Sequence, residues 1–237
     1  DLDKLTSGLH ENELIIVAAR PAMGKTAFAL NLAVNAASKS DKAVALFNLE
    51  MSAEQLAMRM IAAAGGIEMN KVRTGRLEHN DWKKVNEAMS ELSETNLYIE
   101  DNAGMTISEI RAKCRRLATS DKGLGLIVID YLQLISGSSK NEGNRVQEVS
   151  RSVELRENKR PIMSDLRESG SIEQDADIVM FLYRDDYYNK AAAEQTDTSI
   201  TELIIGKHRN GGTGTIELLF ERSMSNFRNY IKKTEEN

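Results

Sequence analysis

The sequence predicts an α/β fold: a mostly parallel central sheet with helices on both faces and a C-terminal antiparallel hairpin. Three observations carry that expectation. Apolar, β-branched runs at residues 14–19, 43–49 and 124–130 are separated by stretches of helical composition, and near-continuous apolar strands are what a sheet covered on both faces requires. The first run passes through Arg20-Pro21-Ala22-Met23-Gly24 into an Ala- and Leu-rich stretch starting at Lys25, the strand, loop and helix order of a phosphate-binding turn. Toward the C-terminus, residues 200–206 and 215–221 alternate around the Gly-rich stretch 207–214, which reads as a hairpin.

The elements follow in order. Residues 25–37 form the first helix, and 43–49 the second strand. Ser52 and Gln55 make a capping box that opens a helix ending at Gly65-Gly66. Asn80 caps a helix reaching about Leu92, and residues 97–100 form a short strand. Thr106 and Glu109 give a second capping box for a helix running to about Ala118. Residues 124–130 are the most apolar strand candidate, and the next is 178–183. Between these two the pattern breaks down, because 137–144 is polar and the helical start at 145–149 is cut off within two turns. So long a stretch without its own element is uncommon in a compact domain. Residues 184–199 read as a polar loop.

Length and composition bound the function. At 237 residues the chain holds one large domain or two small ones. Its 31 Lys plus Arg against 36 Asp plus Glu give a net charge of −5, so any nucleic acid contact must be local rather than spread over a polycationic surface. A single cysteine, Cys114, rules out an internal disulfide framework and fits a reducing compartment such as the cytosol. No apolar run approaches the roughly 20 residues of a membrane span. The first residue is Asp1 rather than Met, which suggests part of a longer product.

Chemistry concentrates at four places. In the stretch from Ala19 to Thr26, successive loop N–H groups and the helix N-terminus face a phosphate, Lys25 reaches the β/γ-phosphates and the Thr26 hydroxyl ligates Mg²⁺. Asp130 ends an apolar strand, where ligands bind in open parallel sheets, and matches the carboxylate that holds the nucleotide's metal. Glu50 ends the second strand. From the residues alone it is either the carboxylate that orients the attacking water or a solvated acid near a helix start. Lys207 and Arg209 flank His208 on the hairpin, either as a solvated edge or as a charge-supplying finger for a phosphate. Cys114 shares a helical face with Ile107, Ile110 and Leu117 and reads as a buried thiol, and Trp82 reads as core.

These residues resemble the RecA-like P-loop NTPase domain found at the C-terminus of DnaB-type replicative DNA helicases. The resemblance covers nearly the whole chain. Its specific stretches are 1–4, 18–31, 49–52, 74–77, 110–116, 127–133, 165–177 and 207–214. Ala19 stands where phosphate loops usually have Gly, and this family usually has Ala there. The resemblance implies ATP with Mg²⁺ as cofactors, with nucleotide contacts from Ala22, Met23, Gly24, Lys25, Thr26 and Ala27 and metal held by Thr26 and Asp130. It implies Glu50 as catalytic base, Lys207 and Arg209 on a neighbouring subunit's γ-phosphate, and Arg167, Glu168 and Gly170 in the loop that touches single-stranded DNA. It also implies a homohexameric ring translocating 5′→3′, with primase and a helicase loader as partners and no membrane. A RecA-like recombinase or an ATP-dependent switch would share the motor but not the unwinding.

Two departures from the family stand out. Gly212 replaces a frequent Pro in the hairpin turn. Between Ser150 and Arg151 the family has the rest of a helix and a sheet strand ending in Ser-Gln, the Gln sensing the γ-phosphate. Neither is present here, at the place where the unaided reading fails. A segment is therefore expected to be missing between these two residues.

Overall fold

The computed structural model describes residues 1–131, 159–165, 174–188 and 196–231. They fall into two compact units. The first contains Asp1–Lys25, the described residues from 159 to Arg222, and those from Phe227 onward. The second contains residues 26–131 and Ser223–Asn226.

The first unit carries a short helix α1 (Leu2–Thr6) and strands β1 (Ile15–Ala19), β5 (Ile178–Tyr183), β6 (Thr198–His208), β7 (Gly214–Glu221) and β8 (Asn226–Asn229), in the sheet order β1-β5-β6-β7-β8. β1 runs parallel to β5, with Ile15 opposite Ile178 and Ala19 opposite Leu182. The β6–β7 hairpin is antiparallel, as the alternation predicts, with Leu203 opposite Ile216. Every residue of β5 is buried, which its unbroken apolar sequence requires of an interior strand.

The second unit carries a parallel sheet of order β3-β2-β4, with β2 (Ala43–Asn48), β3 (Leu97–Glu100) and β4 (Leu124–Asp130). Helices α2 (Lys25–Lys39), α3 (Ala53–Gly65), α4 (Met69–Thr74), α5 (His79–Ser93) and α6 (Ile107–Ala118) accompany it. Phe47, Leu46, Leu56 and Met105 are almost completely enclosed at its centre.

Both predicted capping boxes form: Ser52 with Gln55, and Thr106 with Glu109. α3 stops at Gly66, whose φ of +59° is the left-handed cap that favours glycine. α5 differs from expectation. Glu78 is its N-cap, its backbone N–H donating to Asp81 Oδ2 at 3.1 Å, and Asn80 lies inside the first turn. The buried stripe of α5 is Asp81, Val85 and Ala88. Trp82, one residue and about 100° around the helix from Asp81, is 52% exposed and is not core. Cys114 and Ile110 do pack with Ala45 and Phe47, but Ile107 in the first turn stays exposed. The short helices α1 and α4 and the strand β8 are not among the expected elements.

Among the described residues the parallel sheet comes as two sheets. β1 and β4 are each an edge of their sheet. All five residues of β1 are half-buried, and Gly125 and Ile127 of β4 are exposed. No described helix is long and apolar enough to cross a membrane.

Candidate active site

The strand, loop and helix expected around residues 19–26 are present. β1 ends at Ala19, the Met23 N–H closes a turn onto the Arg20 carbonyl at 3.3 Å, and α2 begins at Lys25. Two residues in the loop have positive φ, Ala22 at +64° and Gly24 at +96°. A Cβ on Gly24 would lie 3.1 Å from Phe227 Cζ and 3.4 Å from Phe220 Cζ, so the loop rests directly on two aromatic rings stacked 4.4 Å apart. The α2 N-terminus concentrates roughly half a positive charge at this loop.

A buried arginine that sequence reasoning missed fixes the same loop. The Arg184 Nη1 donates to the Ala22 carbonyl at 3.3 Å, its Nε donates to Ser199 Oγ at 3.0 Å, and its Nη2 meets Asp186 at 3.2 Å. Its guanidinium lies 5.2 Å from the Phe220 ring centroid, the same ring that supports Gly24. Burial pushes the Asp186 carboxyl up, but hydrogen bonds from Arg184 and Ser199 and the charges of Arg184 and Arg222 outweigh it and hold the group below its ordinary value. Nearby, Arg20 donates to the Tyr188 hydroxyl at 2.6 Å, and Tyr188 stacks on Tyr183. Burial, then the hydrogen bond to Asp185, pushes the Tyr183 phenol up to about 12.

In the second unit, parallel pairing sets Asn48 at the tip of β2 opposite Asp130 at the tip of β4. The Thr26 hydroxyl donates to Asp130 Oδ2 at 2.7 Å, and the Asn48 amide donates to the same oxygen at 3.2 Å. Asp130 is 3% exposed. Glu50 follows β2 on an exposed turn whose backbone is tied to Asn48. A buried carboxylate and a hydroxyl in contact are hard oxygen donors, suited to a small divalent cation that keeps several waters and takes phosphate oxygens. Among the described residues no group of three or more His, Cys, Asp or Glu side chains forms a cage for a metal.

Lys207 and Arg209 gather in a cluster of their own. Both donate to the Gln174 carbonyl, Lys207 Nζ at 3.0 Å and Arg209 Nη2 at 3.3 Å, and Arg209 Nη1 meets Asp177 at 2.8 Å. Arg167, Glu168 and Gly170 lie outside the described residues.

Thus the structure joins Thr26 with Asp130, links Glu50's turn to the same strand tips, and pairs Lys207 with Arg209. Sequence reasoning missed Asn48, Asp177 and Arg184. Asn48 had a signal, a lone amide closing an otherwise apolar strand, and so did Arg184, a charge directly after the buried run 178–183. Asp177 had none, because its partners Leu14 and Arg209 are distant in sequence.

Comparison with known proteins identifies the family. The chain is 52% identical to the replicative DNA helicase DnaC of Bacillus subtilis and 51% identical to the replicative DNA helicase DnaB of Geobacillus stearothermophilus, over 98% and 100% of its own length. It spans 56% of the length of each. Among solved structures, an isolated ATPase domain superposes with a TM-score of 0.85 at 38% identity, covering 97% of this chain and 89% of that one. A DnaB-like replicative helicase, whose structure was described together with its interactions with primase, superposes with a TM-score of 0.86 at 38% identity, covering 97% of this chain and 62% of that one. The family model of the DnaB-like helicase C terminal domain matches residues 1–151 and 148–229, and with the phosphate loop, the Thr26–Asp130 pair and the paired hairpin cations in place, the chain belongs to that family.

Proposed function

We propose that this chain is the ATPase motor of a replicative DNA helicase, using ATP and Mg²⁺ to move 5′→3′ along single-stranded DNA as a homohexameric ring. The observation that carries the reading is the 2.7 Å contact between Thr26 and the buried Asp130, with Thr26 one residue past Lys25 at the end of the phosphate loop. Loop N–H groups from Ala22 to Ala27 and the Lys25 ammonium bind and orient the phosphates. Thr26 and Asp130 hold Mg²⁺, which when bound neutralises charge on the phosphate oxygens. Glu50 accepts a proton from the attacking water and aligns it. Lys207 and Arg209 reach a neighbouring subunit's γ-phosphate.

Arg167, Glu168 and Gly170 contact the DNA backbone rather than base edges, which gives sequence tolerance and needs only a locally basic channel. The relatives' names and the primase described with one solved neighbour support primase as a partner, and a loader that opens the ring for DNA completes the set. The test is ATP hydrolysis by the full-length protein with and without single-stranded DNA, together with displacement of a strand annealed beside a 5′ tail. DNA-stimulated hydrolysis with displacement is the expected result. Slow, DNA-independent turnover without displacement would make the protein a switch.

We further propose that the natural chain carries a segment between residues 150 and 151. Its support is twofold. The family match falls into two pieces that meet at 148–151, and the alignment to the Bacillus subtilis relative runs over 257 positions, more than the 237 residues of this chain.

A further inference from the structure

Asn48 is 1% exposed, and each end of its amide is engaged. Its Nδ2 donates to Asp130 Oδ2 at 3.2 Å, and its Oδ1 accepts the backbone N–H groups of Glu50 at 3.1 Å and Met51 at 2.7 Å. Asp130 in turn closes the connection from the backbone side, its carbonyl accepting the Leu49 N–H at 2.9 Å. One rigid planar group thus spans the two pieces of chemistry at this sheet edge, the carboxylate next to Thr26 and the turn that presents Glu50.

A buried amide costs free energy unless both its donor and acceptor sides are satisfied. Asn48 satisfies them only while the β4 tip and the Glu50 turn keep their present spacing. The acceptor side forms an Asx turn, the local bond by which an Asn side chain fixes backbone two and three residues on. The donor side holds one oxygen of Asp130 in a fixed direction whatever the Thr26 hydroxyl does.

We infer that Asn48 is a positioning residue for ATP hydrolysis, orienting the Asp130 carboxylate for Mg²⁺ with its amide nitrogen and setting the Glu50 turn with its amide oxygen. The inference rests on the proposed roles of Asp130 and Glu50. It separates into two halves because a shorter hydroxyl can replace one bond and not the other. Serine retains a local acceptor for the N–H groups two and three residues on, but it does not reach Asp130.

The test uses the full-length protein and reads kcat, KM for ATP, the Mg²⁺ concentration at half-maximal rate and, without turnover, the Mg²⁺ concentration at which a non-hydrolysable ATP analogue is half bound. Outer partners of metal ligands are typically worth about 10–100-fold in metal affinity or activity. Asn48→Ala is expected to lower kcat by about 10-fold or more and to raise the Mg²⁺ half-saturation several-fold, with KM moving much less. Asn48→Ser is expected to keep most of kcat at saturating Mg²⁺ while still raising the Mg²⁺ requirement, and it serves if the alanine variant does not fold. In a Glu50→Gln background, Asn48→Ala should lower kcat little further. Parent values of both kcat and Mg²⁺ half-saturation in Asn48→Ala overturn the inference, as does an unchanged Mg²⁺ requirement in Asn48→Ser. If Glu50→Gln alone hydrolyses ATP at the parent rate, it is the proposed role of Glu50 that fails instead.

Discussion

The Asp177 carboxylate holds Arg209 from one side and the start of β1 from the other: Oδ1 lies 2.8 Å from Arg209 Nη1, and Oδ2 accepts the Leu14 N–H at 2.8 Å. The backbone repeats the link, with the Arg209 N–H donating to the Asp177 carbonyl at 2.8 Å. The guanidinium itself is 53% exposed, so as a stability device the pair contributes at most a fraction of about 1 kcal/mol. An arginine finger in a phosphoryl transition state contributes about 10³–10⁵ in rate. Arg209→Ala should therefore change melting temperature little, bind ATP normally and hydrolyse it poorly. Mixing it with Lys25→Ala subunits in one ring should restore some activity wherever an intact phosphate loop meets an intact finger. Turnover near that of the parent in Arg209→Ala would remove the finger role.

Gly24 is required by two separate constraints. Its φ of +96° strains any L-residue, and its Cβ position is crowded by Phe227 and Phe220. Gly24→Ala should tilt the loop N–H groups away from the phosphates and weaken ATP binding by about 10-fold or more, an energy of roughly 1.4 kcal/mol. Gly212→Ala is the control, since a Cβ there meets nothing within 4 Å. Equal ATP affinities for the two variants would show that the loop tolerates the distortion.

Asp186 links Arg184 to acid sensitivity. Its folded value lies below the ordinary carboxylate value near 3.8, so the unfolded chain binds its proton more tightly than the folded one does. Stability from this pairing is complete above that ordinary value and is lost as pH falls through the lowered folded value. Asp186→Asn should thus lower the melting temperature at pH 7, with the gap to the parent narrowing as pH falls below the ordinary value near 3.8. A gap that stays constant with pH would mean that the asparagine loses packing rather than charge.

How far the sequence carries is visible in particular residues. The placement of Lys25 and Thr26 at a helix start and of Asp130 and Glu50 at strand ends was legible because helix starts and strand ends are local properties, and both capping boxes are local for the same reason. Glu78 as the cap of α5 was missed because an Asn two residues later is the better N-cap by composition, while the backbone bond to Asp81 decides the matter. The exposure of Trp82 depends on the phase of α5 against its neighbours, which a single buried stripe read from Val85 and Ala88 would have given. Asn48, Asp177 and Arg184 act through tertiary partners, and pairing across strands is what one-dimensional reading cannot supply.

The last prediction concerns β1 and β4, each an edge of its sheet among the described residues. Among the described residues β4 pairs with β2 alone and β1 with β5 alone, so within that set each strand has one row of backbone N–H and C=O groups facing away from its sheet. Parallel strands this apolar are normally flanked on both sides, as β2 and β5 are here, each buried along its whole length. An apolar strand left at an edge is a template for aggregation, which natural sheets blunt with charges, proline or bulges. β1, Ile15-Ile-Val-Ala-Ala19, has none of these, and β4 carries no charge before Asp130. A further parallel strand would remove the difficulty, and the proposed segment between 150 and 151, were it to take up the excess of the 257 aligned positions over 237, would be long enough to supply one. Proteolysis after Arg and Lys offers a sharp readout, because the sequence as it stands releases Val146-Gln-Glu-Val-Ser-Arg151. Mass spectrometry of the natural protein should lack that peptide and show instead a longer one beginning at Val146 or ending at Arg151. Detection of the six-residue peptide in quantity would refute the missing segment.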